Sequence, residues 1–102
     1  MFLIDIQINT ARVPADRADE YLARHRQWFK TNYDAGHFLM VGPYTDKAGA
    51  GLILANTMTK DELNAILAGD AYYAEKLATY TVSDWHVTLF HPSTVDAIKA
   101  QQ

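Results

Sequence analysis

The side chains able to do chemistry in this chain are four histidines, twelve carboxylates and six tyrosines. Cysteine is absent, which excludes thiolate nucleophiles, disulfides and cysteine-based zinc or iron–sulfur sites. The two serines, Ser83 and Ser93, lie outside any nucleophile-elbow sequence, which argues against covalent serine catalysis. The chemistry that remains is proton transfer by imidazole, carboxyl and phenol groups.

The histidines do not show the spacing of a metal site. His25, His37, His86 and His91 fall on different predicted elements or edges, and neither an HExxH nor an HxH sequence occurs. We therefore predict no metal and no cofactor. A site composed from distant histidines stays open at this point.

His25 is the most informative of the four, because it lies on the apolar stripe of a predicted helix. A buried imidazole is costly unless it is hydrogen-bonded. Two interpretations follow: a core histidine that donates to a backbone carbonyl, or a general acid/base oriented by a carboxylate. The apolar residues of the stripe are Ala18, Tyr21, Leu22, Trp28, Phe29 and Tyr33.

Asp70 is the carboxylate that we pair with His25. It lies between Gly69 and Ala71, a position where an aspartate commonly caps a following helix. Taken alone, the local sequence favours that capping role. A catalytic role requires Asp70 to lie within about 3 Å of the His25 ring.

A candidate substrate-binding segment ends the second predicted strand. Gly42 and Pro43 could let a ligand approach the backbone, and Tyr44 could donate a phenol hydrogen bond to a developing oxyanion. The alternative is that Gly42 and Pro43 simply terminate the strand.

The composition indicates one globular domain. The chain has 102 residues, of which 49% are hydrophobic and 21% charged, so one core is expected over residues 1–102. The net charge is −3 and the nine Lys and Arg are scattered, which argues against nucleic-acid binding. No apolar run approaches the roughly 20 residues of a membrane span, and the first residues lack signal-peptide features. We expect no membrane partner and a cytoplasmic location.

Hydrophobic periodicity and turn residues predict the element order β, α, β, β, α, β. Thr59 and Glu62 fit a capping box at the start of the second helix. Trp28, Phe38 and Trp85 are expected in the core. The predicted strands are 2–8, 37–44, 50–55 and 80–90, the predicted helices are 15–35, 59–68 and a short piece at 72–78, and residues 91–102 form an arm or short helix.

This order is typical of ferredoxin-like α+β domains, in which a four-stranded antiparallel sheet carries both helices on one face. The other face is then uncovered, and the predicted hairpin and last strand are apolar on both sides. Large apolar patches usually mark an interface. We therefore predict a face-to-face sheet dimer, or a higher homo-oligomer.

Four runs of sequence resemble the YciI-like (YCII-related) family. The runs are HRQWFK at 25–30, AGHFLMVGP at 35–43, GLIL at 51–54 and GDAYY at 69–73, in the family's order. The resemblance implies a dimeric α+β barrel and a His–Asp pair that maps onto His25 and Asp70. It also implies kinship with muconolactone isomerase and 5-chloromuconolactone dehalogenase. Where the family commonly has Asp-Pro-Phe, this chain has Asp70, Ala71 and Tyr72.

The resulting hypothesis is a small-molecule enzyme that uses His25 and Asp70 for isomerisation or elimination on a lactone-like or small carbonyl substrate. The alternative is a non-catalytic dimeric module that binds a small molecule or serves assembly. An oxygenase of the same barrel class, cofactor-free or haem-using, would follow from fold analogy alone.

Overall fold

A computed structural model describes all 102 residues. The strands and helices follow one another in the predicted order, with a short 3₁₀ turn at Ala15–Arg17 before the first helix and one further helix at the C-terminus. The elements are β1 (Phe2–Ile8), α1 (Ala18–Asp34), β2 (Phe38–Pro43), β3 (Ala50–Ala55), α2 (Lys60–Leu67), β4 (Ala78–Asp84) and α3 (Thr94–Lys99).

The four strands form one sheet in the order β2-β3-β1-β4, and every neighbouring pair is antiparallel. β1 lies at the centre, where Ile4 is paired with Ile53 on one side and with Val82 on the other. The register of β2 against β3 shifts between Phe38 and Met40, as at a β-bulge. The predicted ferredoxin-like α+β fold is confirmed.

The core lies between the sheet and the helices. Alternate residues of β1 point inward, as the period-two pattern predicted, and Ile4 is fully buried. Trp28 of α1 and Leu63 of α2 close the core from the helix side. Each fully buried aliphatic side chain contributes about 1.5–3 kcal/mol to stability. The residues of this cluster are Phe2, Ile4, Ile6, Trp28, Phe38, Ile53, Ala55, Leu63 and Leu67.

Both long helices have local end signals. At the end of α1, Gly36 has a φ of 79°, which glycine adopts without strain. The N–H groups of Gly36 and His37 donate to the carbonyls of Tyr33 and Asn32, the hydrogen-bond pattern of a Schellman motif. At the start of α2, the Thr59 hydroxyl accepts from the Glu62 N–H at 3.1 Å, as the capping pattern predicted.

The last strand and the segment before it differ from the prediction. β4 pairs with β1 from Ala78, opposite Ile8, to Asp84, opposite Phe2. The ladder stops at residue 84, and just beyond it the Trp85 N–H donates to the Met1 carbonyl. The short helix predicted at 72–78 is instead a series of turns. Trp85 is 42% exposed, so the expectation that it packs in the core was wrong.

The sheet face that the helices leave uncovered is polar at its β4 edge and apolar at its β2 edge. In β4 the outward residues are Thr79, Thr81 and Ser83, so the prediction that the last strand is apolar on both faces was wrong. At the opposite edge of the same face, Leu39 and Met40 of β2 are 40% and 44% exposed.

No helix of the protein is both long and apolar enough to cross a membrane.

Candidate functional site

His25 and Asp70 meet in the interior, at the boundary between α1 and the turn that follows α2. The His25 Nδ1 lies 2.6 Å from the Asp70 Oδ1. The side chain of His25 is 7% exposed and that of Asp70 is fully buried. The turn is held by hydrogen bonds from the Asp70 N–H to the Leu67 carbonyl and from the Tyr73 N–H to the Asp70 carbonyl. The chain therefore positions Asp70 without the family's proline.

A third residue, Tyr80, completes the arrangement. Its hydroxyl donates to the Asp70 Oδ2 at 2.5 Å, so each carboxylate oxygen of Asp70 has its own partner. Burial, followed by the hydrogen bond to Asp70, raises the pKa of Tyr80 well above its usual value. Sequence reasoning missed this residue. The signal was the strand alternation, which places Tyr80 opposite the buried Ile6 and on the helix-facing side of β4.

These contacts exclude two local structural roles, a helix cap for Asp70 and a donor to a backbone carbonyl for His25. The carboxylate of Asp70 binds two side chains and no helix follows it, so the helix-capping role is wrong. His25 contacts a carboxylate rather than a backbone carbonyl. A carboxylate only accepts hydrogen bonds when ionised, so we assign the proton of neutral His25 to Nδ1. The Nε2 is then the nitrogen with a free lone pair.

Aromatic rings fix the orientation of the imidazole. The ring centroids of Phe29 and Tyr72 lie 4.3 and 5.0 Å from that of His25, both edge-to-face, and Trp28 is stacked at 5.8 Å. The Trp28 Nε1 donates to the Ile66 carbonyl at 2.9 Å, which ties α1 to α2 beside the site. Such close packing restricts the movement of the imidazole ring.

A cavity of about 750 Å³ adjoins His25. It lies within the size range of small-molecule sites, and Gly42, Pro43 and Tyr44 all line it. The structure thus brings His25 together with the three residues predicted to bind substrate, whereas Asp70 lies behind His25 and does not line the cavity. The apolar part of its wall includes Ile6, Ile8, Leu22, Phe29, Val41 and Pro43.

Tyr44 does not direct its hydroxyl toward His25. The hydroxyl donates to the Asp5 Oδ1 at 2.5 Å, and this hydrogen bond is the main cause that raises the pKa of Tyr44. The Lys47 Nζ lies 4.5 Å from the centroid of the Tyr44 ring. The predicted oxyanion contact would require the Asp5 bond to break.

Two of the other three histidines have local partners of their own. The His37 Nδ1 lies 3.0 Å from the Asn32 Oδ1, and the His91 Nδ1 lies 2.7 Å from the Ser93 hydroxyl. Histidine and carboxylate side chains do not come together in any group of three that could hold a metal ion.

Comparison with known protein families assigns most of the chain to one of them. The family model described as the YCII-related domain matches residues 1–86. The chain belongs to the YCII-related family. The matched residues of this YCII-related protein include His25, Asp70 and Tyr80, whereas α3 lies beyond them. No curated protein matches the chain significantly.

Solved structures resemble the fold of this YCII-related protein. One is 5-chloro-2-hydroxyhydroquinone dehydrochlorinase (TftG) from Burkholderia phenoliruptrix AC1100, in complex with 2,5-dihydroxybenzoquinone. The two chains are 15% identical, and the match covers 84% of this chain and 94% of that one with a TM-score of 0.62. At this identity the likeness shows a shared fold.

Proposed function

We propose that this YCII-related protein is a small-molecule enzyme in which His25 transfers protons and Asp70 orients it. The observation that carries this proposal is the buried contact of 2.6 Å between the His25 Nδ1 and the Asp70 Oδ1, on the wall of a cavity. Two buried polar groups in such a pair could serve stability alone. The opening of a cavity at the same imidazole supports a chemical role.

The proposed reaction begins with neutral His25. Its Nε2 takes a proton from a carbon beside a carbonyl or lactone group, and the electrons of the C–H bond form an enolate. The ionised Asp70 stabilises the imidazolium that results, through the hydrogen bond to Nδ1. Tyr80 holds the second oxygen of Asp70 and so keeps the carboxylate facing His25.

Two outcomes of the enolate are open to this site. In an isomerisation, the imidazolium returns the proton to another carbon, and the double bond moves. In an elimination, the enolate electrons form a C=C bond while halide leaves the neighbouring carbon with its bonding pair, and the proton passes to solvent. The related fold of a dehydrochlorinase that binds a small quinone supports small cyclic carbonyl compounds as the class to test.

A panel of lactones and halogenated lactones, assayed with matched variants, tests the proposal. His25→Asn keeps a polar side chain with an N–H donor but lacks the basic nitrogen, and we expect turnover to fall about 100- to 10,000-fold. His37→Asn is the control, because His37 hydrogen-bonds Asn32 away from the cavity. Turnover of an active substrate that is equal in His25→Asn and the parent protein would contradict the proposal.

A non-catalytic binding module is the second candidate. The observation that favours it is the burial of His25, which leaves only a small part of the ring accessible to a ligand. Saturable ligand binding without conversion of any panel member, in the parent protein, would support this function instead.

We also propose that the protein forms a homodimer through the uncovered face of the sheet. Leu39 and Met40 are exposed there. They line a cleft of about 920 Å³ together with Leu52, Leu54 and Trp85, and the C-terminal residues Ile98, Gln101 and Gln102 and part of α1 line it as well. Burial of such an apolar area is the usual reason for sheet-to-sheet association. The cytoplasmic location stays a prediction.

A further inference from the structure

Two of the three cations of α1 lie beside a carboxylate, and the third does not. Arg24 lies 3.9 Å from the Glu20 carboxylate, and the Lys30 Nζ lies 2.7 Å from the Asp34 carboxylate. Arg26, which follows His25 in the chain, has no ion pair. It is also the one cation of α1 that lines the cavity beside His25. The cations with carboxylate partners are therefore those outside the cavity.

A second unpaired cation lines the same cavity from the β2–β3 turn. Lys47 has no carboxylate within ion-pair distance, and its Nζ lies over the Tyr44 ring at 4.5 Å. A cation–π contact of this kind holds the ammonium group in place without neutralising its charge. Asp46 is the only carboxylate in the lining.

The charge of the cavity is opposite to that of the chain. The protein carries a net charge of −3, yet the lining contains two cations against one anion. Unpaired cations at the mouth of a cavity with apolar walls attract anions, because the field is less screened there than on open surface.

We propose that Arg26 and Lys47 select a small cyclic ligand that carries an anionic oxygen group, either a carboxylate or an ionised ring hydroxyl. This inference rests on the proposed use of the cavity as the substrate site, and names the substrate class for it. The apolar wall formed by Leu22 and Phe29 receives the ring, while the planar guanidinium of Arg26 binds the anionic group. The same cations would stabilise the negative charge of an enolate formed at His25.

Binding measurements with two pairs of probes test the inference. The first pair is 2,5-dihydroxybenzoquinone, a vinylogous acid that ionises readily, and its neutral dimethyl ether. The second pair is benzoate and neutral benzamide, which tests a carboxylate in place of an ionised hydroxyl. Calorimetric titration of the full chain at low salt gives the Kd of each probe. We expect the anion of at least one pair to bind about tenfold more tightly than its neutral partner.

Matched variants assign that preference to the named residues. Arg26→Gln and Lys47→Gln are each expected to reduce the anion preference several-fold, whereas Arg24→Gln, which removes a cation outside the cavity, leaves it unchanged. His25→Asn should retain the preference even though it loses turnover, so the two proposals can fail separately. Two results would overturn the inference: no preference for the anion in either pair, absence of binding included, or a preference that survives in Arg26→Gln and Lys47→Gln together.

Discussion

The Nδ1 of His25 lies 2.6 Å from the Oδ1 of Asp70, although 45 positions separate the two residues in the chain. The contact joins α1 to the turn after α2, and both side chains are buried. Tyr80 extends it to the edge strand β4 through the other oxygen of Asp70. Every change at Asp70 therefore affects the positions of three elements as well as the charge beside His25.

Substitution of Asp70 should separate its contribution to activity from its contribution to stability. In Asp70→Asn, the amide oxygen can accept from His25 and the NH₂ group can donate to Tyr80, but no negative charge stabilises an imidazolium. We expect kcat to fall about 100- to 10,000-fold while the fold is retained. Steady-state kinetics together with circular dichroism would measure both effects.

The Asp70→Ala variant should instead be less stable than the parent protein. It leaves the polar atoms of His25 and Tyr80 buried without their partner, at a cost of about 3–5 kcal/mol in the free energy of unfolding. Asp34→Asn is the control, since the Asp34–Lys30 ion pair is exposed and contributes about 0–1 kcal/mol. A stability of Asp70→Ala within error of Asp34→Asn in urea titration would contradict this expectation.

Tyr80 should make the protein sensitive to alkali. Its pKa is raised in the folded state, so above about pH 10 the unfolded chain loses this proton first. The stabilising effect is thus complete below pH 10 and is lost as the pH rises further, at up to about 1.4 kcal/mol per pH unit. Tyr80→Phe removes this component, so its free energy of unfolding should fall less steeply between pH 10 and 11.

Urea titrations at several alkaline pH values would test the Tyr80 prediction. Tyr33→Phe provides a matched control at an exposed tyrosine, and we expect it to keep the slope of the parent protein. At neutral pH, Tyr80→Phe should be less stable by about 1.5–3 kcal/mol, because the charged carboxylate of Asp70 loses the hydrogen bond from the Tyr80 hydroxyl. Parallel pH curves for Tyr80→Phe and the parent protein would argue against the raised pKa.

Local patterns in the sequence were enough to predict the order of the elements along the chain and the buried position of His25. Alternation in β1 and helical spacing around His25 depend on near neighbours, and both patterns appear as predicted in the burial of the structure. The predicted end of the apolar stripe on α1 was less accurate. Asn32 rather than Tyr33 is buried, because Asn32 donates to the Trp28 carbonyl and contacts His37 at the end of the helix.

The features that could not be predicted from the sequence depend on residues that are distant in the chain. The end of β4 depends on its pairing with β1, which is distant in the chain, so the β-forming residues after Asp84 could not predict it. Strand alternation places Tyr80 on the helix-facing side, but its contact with Asp70 depends on the position of the turn after α2. The hydrogen bond from Tyr44 to Asp5 likewise joins residues 39 positions apart, which periodicity does not report.

The end of α1 offers a test of backbone conformation. Gly36 has a φ of 79°, so a side chain there is strained even though open space surrounds the position. Gly36→Ala should lower the free energy of unfolding by about 1–2 kcal/mol. Gly42→Ala is the matched control, because its surroundings are also open and its φ is not positive. Equal thermal midpoints for the two variants would show that the turn does not require glycine.

The proposed dimer can be tested at Met40, which is 44% exposed on the apolar side of the uncovered sheet face. A glutamate introduced there would be buried without a partner in a face-to-face dimer, whereas in a monomer it would remain in water. We therefore expect Met40→Glu to be monomeric at micromolar concentration in sedimentation experiments and the parent protein to be dimeric. Gln27→Glu adds the same charge on the exposed face of α1 and should remain dimeric. Sedimentation of the parent protein at its chain mass of 11.5 kDa would contradict the dimer. The uncovered face would then need another explanation, because exposed apolar patches of this kind usually mark a contact surface.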